Sequence, residues 1–412
     1  MIAVNADRLN QRLQYLGQFG QAPEGGVTRY ALSLEEKTAT ETVAGWMQEA
    51  GLEVRRDTAG NLFGRLAGRQ PGPAVLTGSH LDSVPNGGDY DGPAGVLTAL
   101  EVVQSLREQG LVPEYPIEVV SFIGEEGSRF PHGLMGSSFL AGTFPYHELE
   151  EMVDRQGTRL VDALRAYGAQ PEEVGSARVS PGTYKAYVEV HIEQSGLLEA
   201  RGLPVGIVSG IAGMRQARGV IRGRAEHAGA CPMDLRRDPM PAAAEVILEV
   251  ERAAKESGPT TRATVGFVQA RPGASNVIPA SVELSFDIRD LDADRRDACV
   301  ERVRQFFLSA CERRGLTGEW QVQHTSTPIH CHAAIVATME EAARSLGLEP
   351  FLLPSGAVHD GANVAEFCPV GMIFLRSRDG LSHTPDEYTA PEDIAQGARL
   401  LAETLWRLAS HA

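Results

Sequence analysis

The sequence predicts an α/β protein in which a smaller α+β domain interrupts a larger one, and three stretches predict it. Residues 73–77 form a short apolar strand, followed by a glycine-rich loop and then by apolar residues at helical spacing over 96–109. A second buried strand, 116–124, ends abruptly in Glu125 and Glu126, completing a strand–helix–strand alternation. From Met214 the order becomes β-α-β-β-α-β, a small sheet with helices on one face, before the earlier style resumes at 370–375. The division expected is 1–212 and 328–412 for the larger domain and 213–327 for the inserted one. A chain of 412 residues exceeds one ordinary core, which fits that division.

Taken in order, residues 5–20 and 33–50 read as helices, the second stopped by Gly51. Residues 52–57 and 61–66 read as a strand pair around the turn at Ala59 and Gly60. A helical, acidic segment follows at 147–170, then 185–194 alternates as a strand that delivers His191 near its end. Residues 202–213, apolar and rich in glycine, read as a hinge. In the inserted domain 216–224, 260–269, 281–289 and 319–324 are expected strands, and 239–255 and 293–314 expected helices. Residues 392–408 supply the last helix.

Composition narrows the function classes. Hydrophobic residues make up 42% and charged residues 22%, as in soluble globular proteins. No apolar run approaches the roughly 20 residues needed to span a bilayer. Residues 1–8 lack the basic and apolar regions of a signal peptide, so a cytoplasmic protein without a membrane partner is expected. A net charge of −16 disfavours nucleic acid as a partner. The five cysteines, at 231, 299, 311, 331 and 368, are odd in number and include no C-x-x-C pair. Reduced thiols are expected from them rather than a disulfide framework or a zinc ribbon.

The chemistry concentrates at strand ends. The loop over 78–95 holds His80, Asp82, Asp89 and Asp91, and by itself reads almost equally well as a polar turn. Glu125 and Glu126 are adjacent carboxylates at the end of an apolar strand, where they repel each other and lose solvation. Neighbouring strand residues point to opposite sides, so one metal ligand and one general base is the expected division of work. His80, Asp91, Glu126, His191 and His383 each lie beside a turn or strand end of the larger domain. Five N/O donors without cysteine suit a pair of divalent zinc, manganese, cobalt or nickel ions. Two such ions about 3.5–4 Å apart, sharing a carboxylate, hold and activate a water. Asp82, two residues beyond His80, is placed to orient its imidazole.

Several of these stretches also resemble one family. They are Gly-Ser-His-Leu-Asp-Ser-Val (78–84), Gly-Gly-Asp-Tyr-Asp-Gly-Pro-Ala-Gly-Val (87–96), Glu-Glu-Gly-Ser-Arg-Phe (125–130) and His-Ile-Glu-Gln (191–194). With them go His-Ala-Gly-Ala-Cys-Pro-Met (227–233) and Ser-His-Thr-Pro-Asp-Glu-Tyr (382–388). Together they resemble the dinuclear metal amidohydrolases that include N-carbamoyl-L-amino-acid hydrolases, allantoate amidohydrolases and β-ureidopropionases. The likeness covers nearly the whole chain. It implies a zinc-peptidase-like catalytic domain and an inserted lid and dimerisation domain, and a homodimer is expected. An exposed sheet edge on the inserted domain suits such self-pairing.

By position, the resemblance implies that His80 and His191 serve one ion, Glu126 and His383 the other, and that Asp91 bridges them. Glu125 would be the general base, and His227 would contact the developing oxyanion. Gln194, Gln216, Asn276 and Arg289 match positions that bind the substrate's amide and carboxylate, with Gly356 at the rim near His359 and Asp360. Arg289 is the natural carboxylate anchor, because a guanidinium fork pairs with a carboxylate in bidentate fashion. Without the resemblance, Arg289 beside Asp290 reads as a surface ion pair, Asn276 as a turn residue and Gln216 as an exposed strand residue. The activity implied is metal-dependent hydrolysis of a linear ureido C–N bond in a small carbamoyl carboxylate. N-carbamoyl-L-amino acids lead, allantoate and then β-ureidopropionate follow, and retention of Glu125 argues against an inactive ligand-binding homologue. Three departures bear on substrate preference: Ser195-Gly196 where the family shows Gly-Pro, Val358 within 355–361, and Cys231 for a usual threonine.

Overall fold

The structure, a computed structural model, describes residues 2–23 and 25–410. It divides into two compact units, one running to Ser209 and including Cys331–Leu353 and the chain from His359, the other comprising Gly210–His330 and Pro354–Val358.

The first unit is built on a mixed sheet. The strands Ile117–Phe122, Ala74–His80, Tyr184–Ile192 and Val370–Leu375 lie side by side in that order and run parallel. Their residues are buried almost without interruption, as expected of parallel strands covered on both faces. Antiparallel strands flank them, Leu62–Leu66 and then Glu53–Arg56 on one side and Val205–Ile211 on the other. The last of these corrects the expected hinge over 202–213: the β-branched Val205, Ile207 and Val208 fit a pleated, buried surface, and 205–208 pair with 372–375. Helices Ala6–Leu16, Leu34–Glu49, Pro93–Glu108, Ala333–Ser345 and Pro391–Ser410 share one core with the strands. Their starts are locally encoded, by Asn5 and Ser33 accepting from backbone N–H groups and by prolines opening Pro93–Glu108 and Pro391–Ser410. The helical segment expected within 147–170 is Leu160–Tyr167, preceded by a single turn at Tyr146–Glu148. Asp154 explains the break: its carboxylate accepts from the N–H groups of Gln156 and Thr158 and from Arg129.

The second unit is an antiparallel sheet in which Gly213–Arg222 lies between Ser281–Asp290 and Thr317–Thr325. Strict alternation of buried residues along Ser281–Asp290 turns one face towards helices Pro239–Ser257 and Ala293–Arg313. Ile221, Val246, Val250, Leu284, Phe286, Val303 and Phe307 fill the space between. The single strand expected over 260–269 is two, Arg262–Thr264 and Val268–Arg271, both paired with Ser281–Asp290. Among the described residues no helix is long and apolar enough to cross a membrane.

One buried cation ties the first unit's N-terminal helix to the loop after His80. Arg29 is fully buried; its Nε donates to the carbonyl of Leu81 and its Nη1 to those of Leu16 and Phe19, at 2.9 Å each. Burial lowers its pKa to about 10, so it stays charged at neutral pH. Arg29→Leu leaves three buried carbonyls without these donors, and a loss of about 3 kcal/mol in urea unfolding is expected.

Candidate metal and catalytic site

The four parallel strands end along one edge of the sheet, and the site is assembled there. Such an edge gathers ligands because the loops all leave the packed layer at the same place. His80 closes its strand, His191 is the penultimate residue of the next, and Glu125 and Glu126 follow Ile117–Phe122 closely. His383 lies in the loop after Val370–Leu375, and Asp91 just before the helix Pro93–Glu108. Neighbouring strand ends thus bring the rings of His80 and His191 to 6.0 Å between centroids.

Two groups of donors result, and they share Asp91: His80, Asp91 and His191, and Asp91, Glu126 and His383, with ligand atoms in each group within 4.8 Å of one another. Asp91 Oδ1 lies 3.1 Å from His191 Nε2 and 3.5 Å from His80 Nε2, while its Oδ2 lies 3.4 Å from His383 Nε2. His383 Nε2 is in turn 3.5 Å from Glu126 Oε2. The ring of His191 donates from Nδ1 to the carbonyl of Ile192 at 2.9 Å, and that of His80 from Nδ1 to the carbonyl of Asp82 at 3.1 Å. With Nδ1–H so used, Nε2 is the atom each ring offers a cation. His80 Nε2 and Glu126 Oε1 are buried without a hydrogen bond, which fits ligand atoms. His383 is half exposed, so the second group opens to solvent.

The electrostatics call for a cation as well. Burial pushes the Glu125 carboxyl well above its usual range, with Glu126 adding to the push and His80 opposing it. Burial and Asp91 raise Glu126 to about 7, and Asp91 draws His383 up to about 9. Burial alone would raise Asp91, but the imidazoles of His191, His383 and His80 hold it well below the usual carboxylate range. Divalent ions relieve a crowd of buried carboxylates of this kind. The donors are nitrogen and oxygen only, a set suited to zinc, manganese, cobalt or nickel.

Asp82 acts differently in detail from the expectation. Its backbone carbonyl meets the His80 ring, while its carboxylate, 3.5 Å from Nδ1, accepts from the N–H groups of Glu125 at 3.0 Å and Glu126 at 3.1 Å. It therefore sets the direction in which both glutamates leave the strand. Gln194 donates from Nε2 to Asp91 Oδ2 at 2.6 Å and keeps a buried Oε1 without a partner. Gln194 and His383 both have left-handed backbones, at φ +57° and +59°, a strain of about 1–2 kcal/mol each that concentrates at this site.

His227, Gln216, Asn276, Arg289 and Gly356 belong to the second unit. Gln216 Nε2 donates to Asp287 at 3.0 Å, so it is half-buried and bonded rather than a free strand residue. Arg289 grips the same carboxylate through Nε and Nη2 at 2.6 and 3.0 Å, and donates from Nη1 to the Gly356 carbonyl at 2.8 Å. Its partner is thus Asp287 and not Asp290, which is buried and held by Arg295, Thr260 and Thr261. His227 pairs in register with Val277, and Ala228 N–H donates to the Asn276 carbonyl at 3.0 Å, which joins these two segments.

Two contributors, Glu189 and Glu387, went unread in the sequence, and His359 and Asp360, expected at the rim, are fully buried. Glu189, two residues before His191 and on the same strand face, accepts from Ser79 Oγ at 2.8 Å and completes a further buried group with His191 and His359. Alternation along 184–192 was the available signal. The His359 ring lies 4.4 Å from that of His191 between centroids, and Asp360 beside it is raised to about 8 by burial and by Glu189. Glu387, inside the stretch 382–388, accepts from the N–H groups of Tyr90 and Asp91. No local pattern marks a glutamate whose partners lie almost 300 residues away, at sequence separations of 296 and 297.

Fold and donor set together define a metal-dependent hydrolase of the zinc-peptidase type, and comparison with known proteins agrees. A profile of Peptidase family M20/M25/M40 matches residues 76–407, and the chain belongs to this family. It is 48% identical to an N-carbamoyl-L-amino acid amidohydrolase of Geobacillus stearothermophilus, over 98% of this chain and 99% of that protein. It is 35% identical to an allantoate amidohydrolase of Bacillus subtilis, over 96% of each chain. A crystal structure of a hydantoinase/carbamoylase family amidase from Burkholderia ambifaria superposes with a TM-score of 0.93 at 33% identity, over 100% of this chain and 99% of that one.

Asp82→Ala frees two backbone N–H groups beneath Glu125 and Glu126. A 10–100-fold fall in kcat/KM is expected, the usual range for a group that orients ligands.

Proposed function

We propose that the chain hydrolyses N-carbamoyl-L-amino acids at the linear ureido C–N bond, releasing the L-amino acid, ammonia and carbon dioxide. The observation that carries this reading is the sharing of Asp91 between two donor groups, with the Glu125 carboxylate beside them at 3.9 Å from His80 Nε2. His80 and His191 would hold one ion, Glu126 and His383 the other, and Asp91 both. Divalent ions bound there supply Lewis acidity towards the ureido carbonyl and lower the pKa of a water.

The chain's own residues do the rest. Glu125 takes a proton from the attacking water and passes it to the departing nitrogen, for which its place beside both donor groups suits it. Asp82 keeps Glu125 and Glu126 apart by holding both backbones. Of the five guanidinium donors on Arg289, Asp287 and Gly356 take three, which leaves two for a substrate carboxylate. Asp287 also orders Gln216 next to that fork, for the same end of the substrate. His227 is assigned to the oxyanion, and Gln194 and Asn276 to the amide. The second unit is read as lid and dimerisation domain of a cytoplasmic homodimer. Allantoate is the second reading, since it too presents a ureido group and a carboxylate and the Bacillus subtilis relative bears that name.

Glu125→Gln should abolish turnover while metal content, measured by atomic emission, stays at the wild-type value; persisting catalysis would remove the base assignment. Chelation should stop the wild-type reaction. Arg289→Lys should raise KM about tenfold or more with a smaller change in kcat, since charge-assisted hydrogen bonds contribute roughly 1.5–3 kcal/mol. A panel of carbamoyl amino acids, β-ureidopropionate, allantoate and dipeptides should favour the first, and faster turnover of allantoate would move the assignment there.

A further inference from the structure

Glu387 bonds to two of the three loops that supply the second donor group. Its Oε1 accepts from the N–H groups of Tyr90 and Asp91, at 3.0 Å each. Its Oε2 accepts from Ser382 Oγ at 2.9 Å and from the N–H of His383 at 3.3 Å. The carboxylate thus spans the Asp91 loop and the His383 loop, and its side chain is only 5% exposed. Ser382 Oγ lies between two carboxylates, 2.8 Å from Asp91 Oδ2 and 2.9 Å from Glu387 Oε2. Space is made for it by Gly88, where a Cβ would stand 2.3 Å from Glu387 Oε1 and 2.4 Å from its Cβ. Only glycine admits the side chain there. His383 itself has a left-handed backbone, a conformation that needs outside support, and its N–H is one of the groups Glu387 holds.

We propose that Glu387 is a positioning residue that fixes His383 against Asp91 and so sets the affinity of the donor group Asp91, Glu126 and His383 for its ion. It leaves the group His80, Asp91 and His191 unaffected. The proposal rests on the reading of these two groups as separate ion sites.

The asymmetry follows from hydrogen-bond chemistry. In Glu387→Gln the amide oxygen takes the place of Oε1 and satisfies Tyr90 and Asp91 as before. The amide NH2 then faces the N–H of His383, donor against donor, and can only donate to Ser382. The Asp91 loop keeps its anchor and the His383 loop loses one. Reversing the amide would instead expose two N–H groups to the NH2, a worse arrangement.

The test is calorimetric titration of metal-free protein with manganese, in wild type, Glu387→Gln and a His383→Ala control, with thermal unfolding of each apo form. Expected are two ions per chain in wild type, and in Glu387→Gln one site at wild-type affinity with the other weakened 10–100-fold. The apo melting temperature should be nearly unchanged, and amide hydrogen exchange should quicken at His383 but not at Asp91. Equal weakening of both sites, or no weakening of either, overturns the proposal. If wild type binds fewer than two ions, or His383→Ala still binds two, the two-site reading falls first and takes the proposal with it. Should Glu387→Gln not fold, amide hydrogen exchange of the wild-type apo protein is the test: protection is expected at the His383 N–H, and exchange there as fast as at an unbonded loop amide overturns the proposal.

Discussion

The structure turns on one carboxylate that must face two ways. Asp91 presents Oδ1 to His80 and His191 and Oδ2 to His383, with Gln194 donating to the same Oδ2 and Ser382 Oγ 2.8 Å from it. A side chain so short can do this only if several chain segments arrive within a few ångströms of one another. Gly92, at φ +83°, lets the backbone beyond Asp91 pass the His80 ring, where a Cβ would lie 2.5 Å from the imidazole. Arg29, Asp82 and Glu387 hold the converging segments by their backbones, which keeps the ligand atoms themselves free.

That division between anchoring and ligating groups recurs throughout the site. Asp82 binds amides, Glu387 binds amides, and Glu193 accepts from the N–H groups of Leu197 and Leu198 to set the turn that carries Gln194. Each is a buried carboxylate satisfied by backbone donors, an arrangement that offsets the desolvation of a charge. In the second unit Asp287 plays a similar part for Arg289 and Gln216, neutralising the guanidinium while leaving part of its fork available.

Much of this was legible in the chain, for local reasons. The strand–loop–helix at 74–108 announces itself by apolar runs, glycines and a proline at the helix start. Paired carboxylates after a buried strand mark Glu125 and Glu126, and the alternation of Ser281–Asp290 marks the smaller sheet. Family resemblance orders the distant pieces. What was not legible depends on partners far off in sequence: the strand at Val205–Ile211 reads as a hinge until Val370–Leu375 is beside it. Asp287 seems an ordinary strand residue until Gln216 reaches it from the neighbouring strand, and Asp82 seems to steer a histidine until the glutamate amides reach its carboxylate.

By itself, then, the sequence determined which residue types stand at which strand ends, and so the donor chemistry and the class of reaction. Those are properties of side chains and of short-range periodicity, and they survive without a partner. Only the tertiary structure decided that Glu387 joins the Asp91 and His383 loops, and that Gln216 and Arg289 share the Asp287 carboxylate. The first follows from the order and parallel register of four strands, because distances between strand ends are set by neighbours in space and not in sequence; the second follows from the antiparallel pairing of Ser281–Asp290 with Gly213–Arg222.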